Sequence, residues 1–470
     1  MTLLTGRQSL LGLIKMLNSD DARTWQEVFV SGDASSSGVK CVGSILHGTM
    51  VSLVFVDALE CRHYVTISDD IALGFPIASV FSPGAGTYWQ DELAANSRVH
   101  KHVEALDLHD HAVAARLVTA EEASPRILVR GNANFAHVLL SVCPAVERLI
   151  DMAAHVGTRL PAAALKERHP LGTPAEIYPE LGEVVDLDAI SEDTGSGLRY
   201  VQDSLVPAAV GVSNKKPLMA VTDAARTRLR GFIPGDAALP SGLSERIAGG
   251  DHDFVLWMSI RMLARRTIPL VEAIDLAARV AAQLETRYER PAIILDGLSL
   301  QSGDTLQSRV SGFSVEQHLD AERLAASLIS ARVAKVAPGL RLYAAIGLPL
   351  WESIRLAEQA DAYIVHDGTT QHKIGWLYPE KPGMVHGPRQ RNVGQGYVWH
   401  PVDIGTPAIY VPPECVVDHK ESGARIPHAN YGYSLMQDDR LESFIAAFLG
   451  VTGEDDPNGT LYRQEYEGKV

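Results

Sequence analysis

Cysteine is scarce. Cys41, Cys61, Cys143 and Cys415 are the only four in 470 residues, and no two form a CxxC pair. That scatter excludes a disulfide framework and fits a reducing, cytoplasmic setting. Uninterrupted apolar runs of about 18 residues are missing, which excludes a membrane-spanning helix. The opening stretch Leu10-Leu11-Gly12-Leu13-Ile14 is broken by Lys15 and lacks a small-residue cleavage site, so it reads as a short amphipathic helix rather than a signal peptide. Positive charge is in deficit: 42 Lys+Arg stand against 57 Asp+Glu, a net charge of −15. A field of that sign repels a phosphate backbone or an anionic membrane, leaving room only for a local basic pocket. No GxGxxG follows a strand and no GxxxxGK[ST] occurs, which disfavours classical dinucleotide and P-loop sites.

What is present is an ordinary globular composition, 46% hydrophobic and 21% charged. At roughly 150 residues per domain, the length suggests two or three domains. No internal repeat is visible, and the texture changes along the chain. Residues 1–115 alternate short apolar runs such as Ser44–Leu46 and Val51–Val56 with turn residues, the pattern of a β-rich segment. Residues 116–245 read as strand then helix: Arg126–Arg130 as strand, Phe135–Ala153 as a long apolar-periodic helix, then strands at Glu183–Leu187 and Val206–Val212. The Gly/Pro/Ser-rich stretch from Phe232-Ile233-Pro234-Gly235-Asp236 to Gly249-Gly250 is the expected hinge. Residues 250–450 form the next domain, and 451–470 a polar tail.

Beyond the hinge the alternation is regular. Strands are expected at Phe254–Ile260, Ala292–Leu295, Leu342–Ile346, Tyr363–Val365 and Gly383–Val385. Helices are expected at Leu270–Leu284, Val315–Val336, Trp351–Gln359 and Thr370–Leu377. The strands are continuously apolar rather than alternating, so both faces are covered, as in a parallel sheet sandwiched by helices. Right-handed crossovers then imply a doubly wound α/β domain.

In such sheets ligands bind beyond the carboxyl ends of the strands. The residues found there are Arg261, Arg265 and Arg266 after the first strand and Asp296-Gly297 after the second. His366-Asp367-Gly368-Thr369-Thr370 follows the fourth, with Lys373 one turn into the next helix. His386-Gly387-Pro388-Arg389 and Arg391 follow the fifth. Glycine lets the backbone approach a ligand, threonine caps a helix, and the exposed N–H groups favour an anion. With Lys373 and the arginines nearby, the pattern suits a pyrophosphate; a plain capped strand–turn–helix is the alternative. Upstream, Arg130-Gly131-Asn132-Ala133-Asn134-Phe135-Ala136-His137 lies at another strand-to-helix turn. His137 is a candidate base toward an acceptor hydroxyl, with a capping or packed histidine as the alternative.

These residues resemble a family. Asn134-Phe135-Ala136-His137 before an apolar helix carrying Pro144, together with Leu256-Trp257-Met258-Ser259-Ile260-Arg261 and Arg265-Arg266, is similar to the two-domain (GT-B) glycosyltransferases. The likeness is to the family 61, capsular-polysaccharide type, and spans roughly residues 125–415 through short motifs. The late motif departs from the family: Asp367 stands where the family carries histidine, and His366 sits one residue early. The resemblance implies a GT-B architecture of two doubly wound, Rossmann-like α/β domains facing a cleft, with an added β-rich N-terminal segment. It implies inverting, metal-independent transfer from a nucleotide sugar, UDP-linked by preference, to a glycan, peptide or small-molecule hydroxyl. Residues 116–245 would serve the acceptor and 250–450 the donor. His137, Asn134 and Asp367 would be catalytic. Arg261, Arg265, Arg266, His366, Gly368, Thr369, Thr370, Lys373 and His386 would hold the donor, and Asp296 the ribose or acceptor. No further cofactor is implied, and the oligomeric state stays open, a homo-oligomer included.

Competing readings have their own residues. His100, His102, His109 and His111, with Asp107 and Asp110, have a metal-site composition. On a strand each histidine pair would share a face, which would favour a metal-dependent hydrolase. Asp251-His252-Asp253 and Asp186-Leu187-Asp188 have the form of a metal-binding DxD but read as structural from their positions. A nucleotide-sugar epimerase shares the two-domain architecture, yet no acid–base pair stands out. A nucleotide- or carbohydrate-binding protein without turnover is the non-enzymatic alternative.

Overall fold

The computed structural model describes residues 39–451, apart from 48–49, 58–59, 68–76, 84–85, 91–96, 118–122, 131–133, 158, 167, 195–196, 208–220, 236–239, 264–266, 311, 390–407, 420–431 and 437. Two compact units are present, Met1–Ala225 and Arg226–Val470. Among the described residues no helix is long and apolar enough to cross a membrane.

The first unit is built on two sheets. Strands β1 (Val39–His47), β2 (Met50–Asp57), β3 (Arg62–Ile67), β4 (Ile77–Ser82) and β5 (Gly86–Gln90) form an antiparallel meander. Helix α1 (Ser97–Leu117) follows. Next come β6 (Pro125–Arg130), a helical run that starts at Phe135 and ends in α2 (Cys143–Val156), β7 (Ala163–Lys166) and β8 (Val184–Asp186). The two-residue β9 (Glu192–Asp193), β10 (Arg199–Val201) and β11 (Ser204–Pro207) complete the unit. The antiparallel sheet runs β5-β4-β3-β2-β1-β10-β9, and a second sheet runs β11-β6-β7-β8 with all neighbours parallel. One apolar cluster joins Val51, Leu53 and Val65 of the first sheet to Leu128, Ala164 and Leu205 of the second; another packs Val54, Tyr64 and Phe81 on Leu106 and Val113 of α1.

Because β9 and β10 pair into the sheet that β1 begins, the chain does not divide at residue 115. Among the described residues the expected doubly wound domain at 116–245 is four parallel strands, and a larger antiparallel sheet shares its core. The expected strand at Val206–Val212 is present as far as Pro207; its remainder, 208–212, and the opening amphipathic helix lie outside the described residues.

The boundary between the units falls inside helix α3 (Asp223–Arg230), not in the Phe232–Gly250 stretch expected as a hinge. That stretch belongs to the second unit. Ser241 N–H donates to Glu352 Oε1 (2.9 Å), and Gln359 Nε2 donates to the Ser244 carbonyl (3.2 Å) at the start of helix α4 (Leu243–Ala248).

In the second unit, β12 (Phe254–Ser259), helix α5 (Leu270–Glu285) and β13 (Pro291–Asp296) lead to a short hairpin of β14 (Arg309–Val310) and β15 (Phe313–Ser314). Helix α6 (Val315–Val336), β16 (Arg341–Ala345), helix α7 (Leu350–Leu356), β17 (Ala362–His366), β18 (Gly383–His386) and β19 (Ile409–Tyr410) follow. The unit ends with hairpin β20 (Val416–Asp418) and β21 (Tyr433–Leu435) and helix α8 (Asp439–Val451). Helix α6 begins where the sequence supplies a capping box: Gln317 N–H donates to Ser314 Oγ (3.1 Å) and Ser314 N–H to Gln317 Oε1 (2.8 Å).

The sheet order is β16-β13-β12-β17-β18-β19, every neighbour parallel. In order of appearance that is 3-2-1-4-5-6, the doubly wound arrangement expected from the apolar strand runs. β12, β13, β17 and β18 are buried along their whole length, whereas the edge strand β16 is half exposed.

β17 and β18 fit because position 383 has no side chain. A Cβ there would stand 1.9 Å from Tyr363 Cζ, and both residues are buried. Overpacking at such a contact costs about 1–3 kcal/mol. Gly383→Ala is expected to lower stability by that amount in urea unfolding; an unchanged midpoint would show that Tyr363 moves aside freely.

Candidate functional site

The strand order places the switch point between β12 and β17, the first and fourth strands of the second unit. From there successive crossovers run to opposite sides and leave a crevice beyond the carboxyl ends. Ser259 ends β12 and His366 ends β17. Ser259 Oγ accepts the backbone N–H of His366 (3.0 Å) and shares a second hydrogen bond with His366 Nδ1 (2.9 Å). The His386 ring, at the end of β18, lies 4.4 Å from the His366 ring and tilted 50° to it, and its Nδ1 bonds the Tyr433 hydroxyl (2.8 Å).

Burial holds all three nearby imidazoles neutral. His386 is pushed down to about 3. His366 and His372 fall well below their ordinary value, with the charges of His386 and Arg261 adding to the effect on His366, and those of Lys373 and Arg261 on His372. The unfolded chain binds protons at these rings in a range where the folded one does not. Stability should therefore fall as pH drops from about 6.5 toward 3. His386→Phe is expected to flatten part of that slope in pH-dependent thermal melts; an unaltered slope would place the acid sensitivity elsewhere.

After β17 the backbone turns at Gly368 (φ +101°), a left-handed geometry that favours glycine. Gln371 N–H returns to the Gly368 carbonyl (3.2 Å). The helix expected over Thr370–Leu377 is instead a 3-10 turn, Thr369–Lys373. Five residues carry little macrodipole, so the expected helix-capped cradle is reduced to a tight turn. Arg226 Nε and Arg230 Nε donate to the carbonyls of Trp376 (2.9 Å) and Leu377 (2.6 Å), satisfying groups that a longer helix would have paired internally.

Lys373 departs most from expectation. Its ammonium forms a buried ion pair with Asp296 and donates to the Gly297 carbonyl (3.0 Å) and Ser299 Oγ (3.0 Å). Those contacts occupy all three of its donors, so it has none left for a phosphate. Asp296, expected to hold ribose or acceptor, is committed to the same pair. Burial lifts its carboxyl, and Lys373 and then Arg261 act against that rise. The segment after β17 is thereby tied across β12 to the end of β13.

Arg261 follows β12 as expected. Its charge faces Glu322 and Asp296, while burial lowers its pKa. Glu322, on α6, is nearly inaccessible at 2% exposure. Its Oε2 accepts Leu298 N–H (2.6 Å) and leaves no room for a side chain at Gly297, where a Cβ would stand 2.4 Å away. Burial pushes the Glu322 carboxyl up to about 7, with the Leu298 N–H and Arg261 opposing.

The second unit thus brings Arg261, Asp296, His366, Lys373 and His386 to one edge of its sheet. Asp367 is buried there, its N–H donating to the His386 carbonyl (2.7 Å). Arg265, Arg266 and Arg391, and the side chains of Thr369 and Thr370, lie outside the described residues. Asn134 and His137 belong to the first unit. Asn134 is a helix N-cap: its Oδ1 accepts Ala136 N–H (3.1 Å) and its carbonyl accepts His137 N–H (2.9 Å).

Glu322 and Ser259 were missed in the sequence. Glu322 does carry a signal, because it falls on the buried stripe Val315, His318, Leu319, Glu322, Ala326, Ile329, where an acid is out of place. Ser259 had none beyond its place at the end of a strand.

The histidine cluster is helical, so the shared faces that a strand would give its pairs do not arise. His100, His102, His109 and His111 lie on helix α1. His102 is buried against Ser52 Oγ (2.7 Å) and His100 pairs with Glu104 (3.1 Å). Among the described residues no group of three or more metal-ligating side chains is poised to hold an ion. The DxD-like strings are structural as expected: Asp253 accepts Glu289 N–H (2.7 Å) and Arg290 N–H (3.0 Å), and Asp186 caps Asp188 N–H (2.8 Å). In the first unit a cavity of about 510 Å³, lined by Ile150, Arg159, Leu160, Leu181 and Glu183, sits at the amino ends of β7 and β8. That is the edge opposite to where α/β sheets bind ligands.

No protein-family model matches the sequence, and no curated protein matches it. Among solved structures, the chain is similar to E. coli ADP-heptose LPS heptosyltransferase II at 11% identity, over 75% of this chain and 81% of that one, TM-score 0.30. A family 9 glycosyl transferase from Veillonella parvula matches at 10% identity over 62% and 86%, TM-score 0.33. The dodecameric iron-containing heptosyltransferase TibC, in complex with ADP-D-β-D-heptose, matches at 11% identity over 91% and 92%, TM-score 0.32. These scores are too low to support an argument from shared fold.

Breaking a buried ion pair from one side leaves an uncompensated charge and costs about 3–5 kcal/mol. Lys373→Met is expected to destabilise by that amount in urea unfolding, and adding Asp296→Asn to recover part of it. A loss below about 1 kcal/mol would mean the pair does not hold the crevice together.

Proposed function

We propose that the chain is a glycosyltransferase of GT-B type that takes a nucleotide-activated sugar, UDP-linked by preference, and transfers it with inversion to an acceptor hydroxyl in the cytoplasm. The observation that carries this reading is the switch point of the second unit. There Arg261, Gly368 and the buried pair Asp296–Lys373 gather beyond a sheet in the order 3-2-1-4-5-6. A crevice of this kind, with a guanidinium and turn N–H groups at its rim, suits a nucleoside diphosphate.

In the proposed reaction the acceptor oxygen attacks the anomeric carbon and the carbon–oxygen bond to the diphosphate breaks. The departing oxygen takes the electron pair, and the acceptor proton passes to a base. Arg261 and the backbone N–H groups after His366 stabilise the charge that develops on the diphosphate, so the step needs no metal. Lys373 and Asp296 shape the crevice and do not bind phosphate. His137 is the proposed base, with Asn134, the cap of the turn that carries it, and Asp367 as the other proposed catalytic residues.

One observation favours a second reading, a nucleotide-binding protein without turnover. The buried imidazoles at the strand ends are held neutral and the lysine is saturated, so the second unit offers few groups there to move protons.

Calorimetry with UDP, GDP, CMP and ADP and their sugars tests the assignment; no binding by any of them contradicts it. Arg261→Ala is expected to weaken nucleotide binding about tenfold or more, the loss of one charge-assisted contact. His137→Ala should leave binding within about twofold and lower turnover by about 10² to 10⁴. Binding without turnover in the wild type would favour the second reading.

A further inference from the structure

The helical run after β6 is not the single regular helix that its apolar spacing predicts. Phe135–His137 is α-helical, Val138–Val142 is a π turn, and α2 begins at Cys143. The wider turn shows in its hydrogen bond: Cys143 N–H donates to the Val138 carbonyl, five residues back, where an α-helix reaches back four. Pro144 follows immediately. A prolyl nitrogen has no hydrogen to give the Leu140 carbonyl, and in a regular α-helix its ring would collide with that carbonyl. A π turn moves the two apart.

The extra residue reorients His137. His137 and Arg148 are 11 positions apart, about three turns of a regular α-helix. An unbroken helix would therefore set His137 on the side of Arg148, the side that carries the exposed Asp151 and His155. A π turn spends one more residue on its circuit and so rotates everything upstream by about 100° relative to α2. From Asn134 to Glu147, leaving aside Ser141, whose side chain is outside the described residues, all are buried except Asn134 and His137. Asn134 caps the run, and His137 stands half-buried beyond the carboxyl end of β6, the edge where a parallel sheet binds its ligands.

We propose that Pro144 is a positioning residue for His137: it enforces the π turn, and the π turn holds the imidazole at the carboxyl edge of the first unit's parallel sheet instead of on the outer side of α2. That this imidazole serves as a base rests on the function proposed above; its placement does not.

The test is modification of the full chain with diethyl pyrocarbonate, read histidine by histidine by peptide mass spectrometry. His155 is the internal reference, because it lies beyond the π turn and is exposed. Pro144→Ala restores an N–H and should let the run relax to an α-helix, carrying His137 outward and raising its rate relative to His155 severalfold. Deleting Ser141 as well removes the extra residue, so that α geometry and the present orientation of both flanks coincide, and should return the rate to the wild-type value. An unchanged rate in Pro144→Ala overturns the inference, as does a raised rate that the folded deletion variant keeps. If Pro144→Ala does not fold, Pro144→Ser supplies the same N–H and decides the matter. The base is tested separately, by nucleotide release from UDP-glucose and ADP-glucose in the same proteins. Turnover that falls when His137 swings out and recovers in the deletion variant supports the base reading. Turnover that does not follow His137 overturns that reading and leaves the placement standing.

Discussion

The buried contact between Lys373 and Asp296 ties together two strand ends that the sheet itself keeps apart. β12 lies between β13 and β17, so the pair spans the top of the first strand and fixes the turn that follows the fourth. Glu322 and Gly297 then take their places around the same turn, and Arg261 stands within the field of both carboxylates. A lysine in this position looks from the sequence like a phosphate ligand. In the structure its three donors are spent on protein oxygens, and it acts as a brace.

That brace alters the electrostatics of the crevice. An open cationic cradle would attract any anion. Here the lysine charge is cancelled locally, the imidazoles are kept neutral by burial, and the guanidinium of Arg261 feels the charges of Glu322 and Asp296. The cost of burying these groups is met only while each is paired. This also explains why the segment from Gly368 onward is a tight turn fastened by side chains rather than a free-standing helix. Specificity in such a site comes from a few fixed groups instead of overall charge, consistent with a chain whose net charge is −15.

The parallel sheet of the second unit was legible because its central strands are buried on both faces and so read as unbroken apolar runs. Helix α6 was legible to the residue, since Ser314 and Gln317 announce its start. Reading failed where tertiary contacts overrode local texture. His100 to His111 stood out as a metal-like composition, yet Val99, His102, Leu106 and Val113 keep a helical spacing that buries one side against the sheet. The Gly/Pro-rich Phe232–Gly250 stretch looked like a linker, but Ser241 and Ser244 fasten it to Glu352 and Gln359. Strand ends singled out Arg261, Asp296 and His366 as candidates without revealing that Lys373 and Asp296 satisfy each other. Pairing between residues 77 positions apart has no signature in a single sequence.

The central claim is that a nucleoside diphosphate occupies the carboxyl edge of the second unit's sheet. Amide hydrogen exchange with and without a nucleotide tests it most directly, because the outcome is read segment by segment. The account predicts slower exchange at the strand-end segments 259–263, 296–299 and 366–373, with the amino edge of the same sheet unchanged. Saturating nucleotide that leaves those segments unaffected, or that protects only the cavity around Ile150 and Glu183 in the first unit, would contradict it.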